Sequence, residues 1–358
     1  MSKFTSEKTI EYSLIDQLTM GESQWTYRGD LTSEDALWAN FKQILEQNNQ
    51  SALKGIALTE AEFKQVQTQL QFPTFFDAAK WLSGENGVAR VTVRRDDVTL
   101  SPEPIRLMVI NNNNIAGGSS VYEVVNQYTS DKKETHDRKR IFDVTLLING
   151  LPMIHIELKN RSNPYIEAFR QIQKYVKEGK FSGIYSTLQM FVVSNASQTR
   201  YIAAGQFDKL NDRFLSRWVD KNNNPVEEYI DFARKVLSIP EAHLMVSQYS
   251  VMDRDRKVLI LLRPYQIHAI EAVKEASRRQ ESGFVWHTTG SGKTLTSYKV
   301  AGNLLQIPKL DKTIFIVDRV DLDQQTTSSF TAYAEYDPIS IDETDNVSDL
   351  MRKLAGDD

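Results

Sequence analysis

The stretch that decides the fold runs Ile141-Phe142-Asp143-Val144-Thr145-Leu146-Leu147-Ile148, then Asn149-Gly150, then Met153-Ile154-His155-Ile156-Glu157-Leu158-Lys159. Two apolar runs rich in β-branched residues flank an Asn-Gly pair, a strong short-range signal for a β-hairpin. Within the first run Asp143 is a lone carboxylate, and burying it unpaired costs on the order of several kcal/mol, so it needs a cation or hydrogen bonds. In the second run polar residues alternate with Ile and Leu, which puts His155, Glu157 and Lys159 on one face of a strand. Register then decides the chemistry. A two-residue Asn149-Gly150 turn sets Asp143 opposite Ile156, whereas a three-residue Asn149-Gly150-Leu151 loop sets it opposite Glu157. The second arrangement brings the carboxylates to a Cβ separation of ~4.5–5.5 Å, close enough to hold one Mg²⁺ together. Lys159 then orients or deprotonates water, or stabilises charge growing on a phosphate. Glu-x-Lys alone is common on half-exposed strand faces; the buried Asp143 turns the reading toward a site.

Outward from this hairpin, a helix is expected from about Tyr165 to Lys177, closed by Gly179, with Gln171 and Tyr175 four residues apart on one face. Another strand is expected over Gln189–Ser194, and one or two helices over Phe207–Ile239 around the polar insert Lys221–Pro225. Upstream, Ile10, Leu14, Ile15 and Leu18 follow helical spacing behind a capping Ser6, and residues 33–82 read as mainly helical. Short β runs follow at Val91–Val93 and Ile105–Ile110, with Asn111–Ser120 as a loop. A length of 358 residues exceeds one ordinary domain. The expected division is residues 1–245, with a core at about 120–200, and residues 246–358.

The second region contains Thr289-Gly290-Ser291-Gly292-Lys293-Thr294, after the strand-like run Phe284–Trp286 and before a helical stretch. This is the context of a P-loop: glycines let backbone N–H groups close on phosphate, Lys293 adds charge, and Thr294 ligates Mg²⁺ of bound ATP. His287 stands where the common pattern has its first glycine. A further apolar run, Thr313–Val317, reads as a buried strand ending at Asp318-Arg319.

The 43 Lys+Arg against 47 Asp+Glu argue against a uniformly basic chain that coats nucleic acid, so any contact with DNA is local. With no cysteine, disulfides, thiolate nucleophiles and Cys-ligated zinc are excluded. No run approaches the ~20 apolar residues of a membrane helix, and the expectation is a soluble, cytoplasmic protein without a membrane partner.

Asp143, Glu157-x-Lys159 and Gln171-x-x-x-Tyr175 together resemble the PD-(D/E)xK nuclease core in its RecB-like form. Arg263-Pro264-Tyr265-Gln266, the His287–Thr294 loop and Val317-Asp318-Arg319-x-x-Leu322 resemble the first motifs of superfamily 2 helicases and translocases. With Asn149-Gly150-Leu151-Pro152 and Val125-Asn126-Gln127, the whole chain resembles the N-terminal part of the restriction (R) subunit of type I restriction-modification enzymes. The resemblance implies an α/β fold, a mixed sheet flanked by helices followed by a partial RecA-like P-loop domain. It implies Mg²⁺-dependent cleavage of double-stranded DNA away from the recognition site, in a complex with modification (methyltransferase) and specificity subunits. By it, Gln171 and Tyr175 assist cleavage or contact DNA, Glu11 joins an extended metal site, Gln266 reads adenine, and Gly290, Gly292, Lys293 and Thr294 hold ATP. No acidic motif for water activation follows Lys293, so the chain is expected to end within its motor domain and to bind nucleotide weakly without turning it over. Two other readings stand beside it: another helicase–nuclease, of type III restriction or DNA repair, and a non-catalytic docking module with a structural ion cluster.

Overall fold

In the computed structural model, the described residues are 6–21, 24–115, 117, 120–130, 138–305, 307, 310–317, 320–344 and 346–356. The chain divides into two compact units, residues 1–250 with 258–261, and residues 251–257 with 262–358.

The first unit opens with α1 (Glu7–Thr19), capped by Ser6, whose side chain accepts from the Thr9 N–H as its spacing predicts. The short strand β1 (Thr26–Tyr27) leads into three further helices, α2 (Glu34–Asn48), α3 (Glu60–Gln69) and α4 (Phe75–Ser83). Strands β2 (Val88–Val93) and β3 (Ile105–Asn111) pair with each other alone. The central sheet is built from β1, β4 (Tyr122–Thr129), β5 (Ile141–Ile148), β6 (Leu151–Leu158), β7 (Met190–Ser194) and β8 (Thr199–Ala203), in the spatial order 1-4-5-6-7-8. Pairing is parallel for β1 with β4 and for β6 with β7, and antiparallel elsewhere, so the sheet is mixed as expected. The β6–β7 crossover carries α5 (Ile166–Lys177), the connection that parallel neighbours require.

The hairpin joins both register alternatives. Asn149 and Gly150 have φ of 50° and 79°, the left-handed pair of a tight two-residue turn, so Ile148 pairs with Leu151 and Leu147 with Pro152. The register then shifts by one residue, leaving Met153 as the extra residue of a bulge, and Leu146 pairs with Ile154, Thr145 with His155 and Val144 with Ile156. The turn is therefore shorter than the site seemed to need, and the bulge restores the register that places Asp143 level with Glu157. Pro152, which cannot donate to a ladder, sits where the pairing slips. A side chain at Gly150 would put its Cβ 2.9 Å from the Phe41 Cα of α2, so the turn needs glycine twice over.

The region 207–239 holds one α-helix, within the one or two expected, and adds a small hairpin. Asp220 accepts from the Asn222 and Asn224 N–H groups, turning the polar insert into a small hairpin of β9 (Trp218–Val219) and β10 (Pro225–Val226). Only α6 (Tyr229–Val236) is an α-helix there; α7 (Glu241–Ser247) follows. The boundary between units runs through the hairpin of β11 (Ser250–Asp253) and β12 (Val258–Leu261).

Among its described residues the second unit is helical: α8 (Pro264–Arg278), α9 (Lys293–Leu304), α10 (Val320–Ala334) and α11 (Val347–Ala355). The two expected strands at Phe284–Trp286 and Thr313–Val317 form no regular element and pair in no ladder there, and Trp286 and Ile316 are 88% and 86% exposed rather than buried. The Asp318-Arg319 pair lies outside the described residues. No helix is long and apolar enough to cross a membrane among the described residues.

Candidate active site

β6 is buried along its whole length, and its two charged-type residues, His155 and Glu157, are each 0% exposed. The half-exposed strand face that makes Glu-x-Lys commonplace elsewhere is absent here. The Asp143 Oδ2 accepts from the Leu158 N–H at 2.8 Å, so the carboxyl of β5 is turned onto the end of β6. There the two carboxyl groups act on one another, since Asp143 is level with Glu157 in the β5–β6 register. Lys159 Nζ stands 3.6 Å from Glu157 Oε1, a charge contact longer than a hydrogen bond, and donates instead to the Leu158 carbonyl at 2.8 Å. Among the described residues Glu157 Oε1 therefore has no hydrogen-bond donor, although it is fully buried.

Burial is the largest influence on both acids, and it pushes Asp143 and Glu157 up to about 8 despite the neighbouring ammonium. The negative charge of Glu157 raises Asp143 further. Such a pair holds protons at neutral pH unless a cation replaces them, and its protons belong to the pair rather than to either residue. The donors are hard oxygens, and two carboxylates with a vacant oxygen match Mg²⁺, which keeps several waters and takes few protein ligands.

The other expected residues fall as follows. Gln171 Nε2 donates to Tyr175 Oη at 2.5 Å, and Tyr175 Oη donates to the Ile141 carbonyl at 3.4 Å, which anchors α5 beside the start of β5. Burial, then the charge of Glu157, raises the Tyr175 phenol, so Tyr175 stays protonated near the site. Glu11 is drawn away from the metal role: its two oxygens accept from Asn126 Nδ2 at 2.6 Å and Gln127 Nε2 at 2.8 Å, which fastens α1 to β4. Among the described residues no three His, Asp or Glu side chains gather as a metal cluster. Gln127 has a φ of 54°, a strained conformation in the strand next to β5.

Two features escaped the sequence reading. Glu7, on the first turn of α1, accepts from the Asn160 N–H at 3.2 Å, and its charge acts on Glu157. His155 Nε2 lies 3.2 Å from Glu157 Oε2, its Nδ1 lies 3.2 Å from Thr145 Oγ1, and Tyr185 Oη donates to Thr145 Oγ1 at 3.3 Å. Burial lowers the His155 pKa to about 4, so the imidazole is neutral. The strand alternation put His155 beside Glu157; the contributions of Thr145 and Tyr185 come from the hairpin pairing and a distant turn.

In the second unit, Gly290 and Gly292 have φ of 76° and 82°, and Gly292 caps α9, whose first residues are Lys293 and Thr294. Glycine-shaped backbone at a helix N-terminus with an exposed lysine suits a phosphate. Gln266, however, is 3% exposed. Its Oε1 accepts from the Arg263 N–H at 2.9 Å, and its Nε2 lies 3.3 Å from Thr296 Oγ1. It braces the start of α8 against α9 and is not presented to a base. Tyr265 Oη donates to the Ser291 carbonyl at 2.7 Å, and His287 Nδ1 lies 2.8 Å from Ser291 Oγ, so the residue at the glycine position ties the loop.

Comparison with known proteins gives two family matches along the chain. Residues 4–208 match the family described as type I restriction enzyme R protein N terminus, and residues 265–358 match the SWI2/SNF2 ATPase family. The chain is 34% identical over 353 residues to the type I restriction enzyme SauCOLORF180P endonuclease subunit of Staphylococcus aureus (strain COL), covering 98% of this chain and 35% of the relative. It is 29% identical over 274 residues to the EcoprrI endonuclease subunit of Escherichia coli, covering 75% of this chain and 82% of the relative. The chain thus spans about a third of the length of the first of these curated relatives. With the family match extending over more than half of its residues, the chain belongs to the family of type I restriction enzyme R protein N termini.

Proposed function

We propose that the first unit is a Mg²⁺-dependent endonuclease of the PD-(D/E)xK type acting on double-stranded DNA, and that the second is the front of an ATP-dependent DNA translocase. The observation that carries the reading is the buried Glu157 Oε1, without a donor among the described residues, with Asp143 level with it across the strand pair and Lys159 at 3.6 Å. A fully buried carboxylate oxygen without a donor is one that a bound cation would complete. Asp143 and Glu157 hold the ion, which supplies positive charge to the scissile phosphate and acidifies water. Lys159 is placed to orient the attacking water and to offset charge as the phosphorus–oxygen bond to the departing sugar breaks and that oxygen takes a proton. Gly290, Gly292, Lys293 and Thr294 hold the phosphates and Mg²⁺ of ATP. The family and the relatives named above support a role in a restriction complex, with modification and specificity subunits as partners. Because a nuclease of this kind grips backbone rather than bases, an acidic chain with only local cationic patches suffices.

The test is calorimetric titration of Mn²⁺ into the chain beside Asp143→Ala and Glu157→Gln. Binding to the parent that both substitutions abolish is the expected result. Binding that survives both, or no binding to the parent, overturns the shared carboxylate site.

A further inference from the structure

Of the groups around the site, His155 is the one whose geometry is most constrained and whose role the nuclease reading does not use. It is fully buried between aromatic rings, with centroids 5.1 Å from Phe142, 5.3 Å from Phe181 and 6.4 Å from Phe191. Both ring nitrogens nonetheless have a polar partner, and the partners run in one direction. Tyr185 Oη donates to Thr145 Oγ1, so the threonine hydroxyl proton is available to His155 Nδ1, the direction we assign here, although a hydroxyl can equally accept from both neighbours. A neutral imidazole that accepts at Nδ1 carries its proton on Nε2, the nitrogen that faces Glu157 Oε2. The line begins in the turn before β7, crosses the paired residues Thr145 and His155, and ends on one oxygen of one carboxylate.

We propose that His155 is a positioning residue: through the Tyr185–Thr145–His155 line it holds Glu157 by Oε2 and so presents Oε1 to the divalent cation. The inference rests on the nuclease reading of the same site. A carboxylate on a short strand side chain can rotate its two oxygens into either place; a single fixed donor on one of them removes that freedom. Hydrogen bonds that orient a metal ligand in this way typically change metal affinity by about 10–100-fold when removed. The opposite tautomer, with the proton on Nδ1, would aim a lone pair at Glu157 Oε2 and leave the carboxylate unheld.

The experiment uses the full chain. ¹⁵N NMR of the metal-free protein reports which nitrogen of His155 bears the proton, with His155→Gln providing the assignment among the five histidines. Calorimetry with Mn²⁺ then compares the parent with His155→Leu, His155→Gln and Thr145→Val, each first shown by thermal melting to fold. The expected results are a proton on Nε2 and a Mn²⁺ affinity about 10–100-fold weaker for His155→Leu. His155→Gln, whose amide can still donate near the Nε2 position, should recover most of the loss, and Thr145→Val should fall between. A proton on Nδ1, or a His155→Leu affinity within twofold of the parent, overturns the inference while leaving the carboxylate site intact. A parent that binds no Mn²⁺ overturns the nuclease reading and this inference together.

Discussion

Replacing Glu157 by Gln should stabilise the metal-free chain, and by an amount that grows with pH. The substitution is nearly isosteric and keeps a carbonyl oxygen to accept from His155 Nε2, so the main change is removal of an ionisable group. In the folded chain burial holds the Glu157 carboxyl up to about 8, against a usual 4.5. The native state then binds more protons than the unfolded state between those two values, and stability falls as pH rises through that window. Each pH unit costs about 1.4 kcal/mol for one such group, so the accumulated cost is near zero at pH 4.5, about 2 kcal/mol at pH 6 and about 3 kcal/mol at pH 7. Glu157→Gln removes that cost. Urea unfolding of the first unit, followed from pH 4.5 to 8 in chelator, should show the gap between variant and parent opening with that slope and flattening above about 8. A gap that stays flat, or a variant less stable than the parent at pH 7, would refute the reasoning. That outcome would mean the Lys159 ammonium compensates the carboxylate fully, and the cluster would be a structural ion pair.

Three further outcomes follow from the same structure. Lys293→Ala should abolish binding of a fluorescent ATP analogue to the chain while leaving Mn²⁺ binding at Asp143 and Glu157 unchanged, because the residues belong to separate units. Arg170, Lys174 and Lys177 form an exposed row on α5, the helix of Gln171 and Tyr175, and none forms an ion pair with a described carboxylate. Neutralising all three should weaken binding of a duplex oligonucleotide and reduce the slope of log affinity against log salt by up to about 2.7, measured by anisotropy. Gly150→Ala should destabilise the first unit by about 1–3 kcal/mol in urea titrations, since it meets both a left-handed backbone and the Phe41 Cα.

The hairpin and the nearness of Asp143 to Glu157 were legible because their signals are local: an Asn-Gly turn, alternation over Ile154–Lys159, and one carboxylate out of place in β5. What was not legible depended on partners far along the chain. β4 carries Glu123, Asn126 and Gln127 and reads as a poor strand, yet Glu123 is buried on Arg28 at 2.8 Å and Asn126 and Gln127 are buried or held against Glu11. The Met153 bulge hides in a run that looks regular, and only Pro152 hints at it. The reading of Phe284–Trp286 and Thr313–Val317 as strands followed apolar content alone. A strand also needs a neighbour to take its N–H and C=O groups, which sequence content does not supply.

The arrangement around Glu157 explains why a cluster this unfavourable is built so firmly. Burial in β6 is what most raises the cost of its charge and Glu7 adds to it, whereas Lys159, 3.6 Å away, and Asp143 only partly offset that cost. His155 meanwhile holds its other oxygen in place, so the strain cannot be relieved by rotation toward a donor. Two species relieve it. Protons do so at neutral pH, leaving the pair uncharged and unable to bind a cation; a divalent cation does so by displacing them. If the site takes the proposed cation, metal occupancy and folding stability are opposed at this position in the empty site and joined in the loaded one. On the proposed reading, Glu157→Gln should stabilise the empty chain and at the same time remove the cation site, the relation expected where strain serves chemistry rather than architecture.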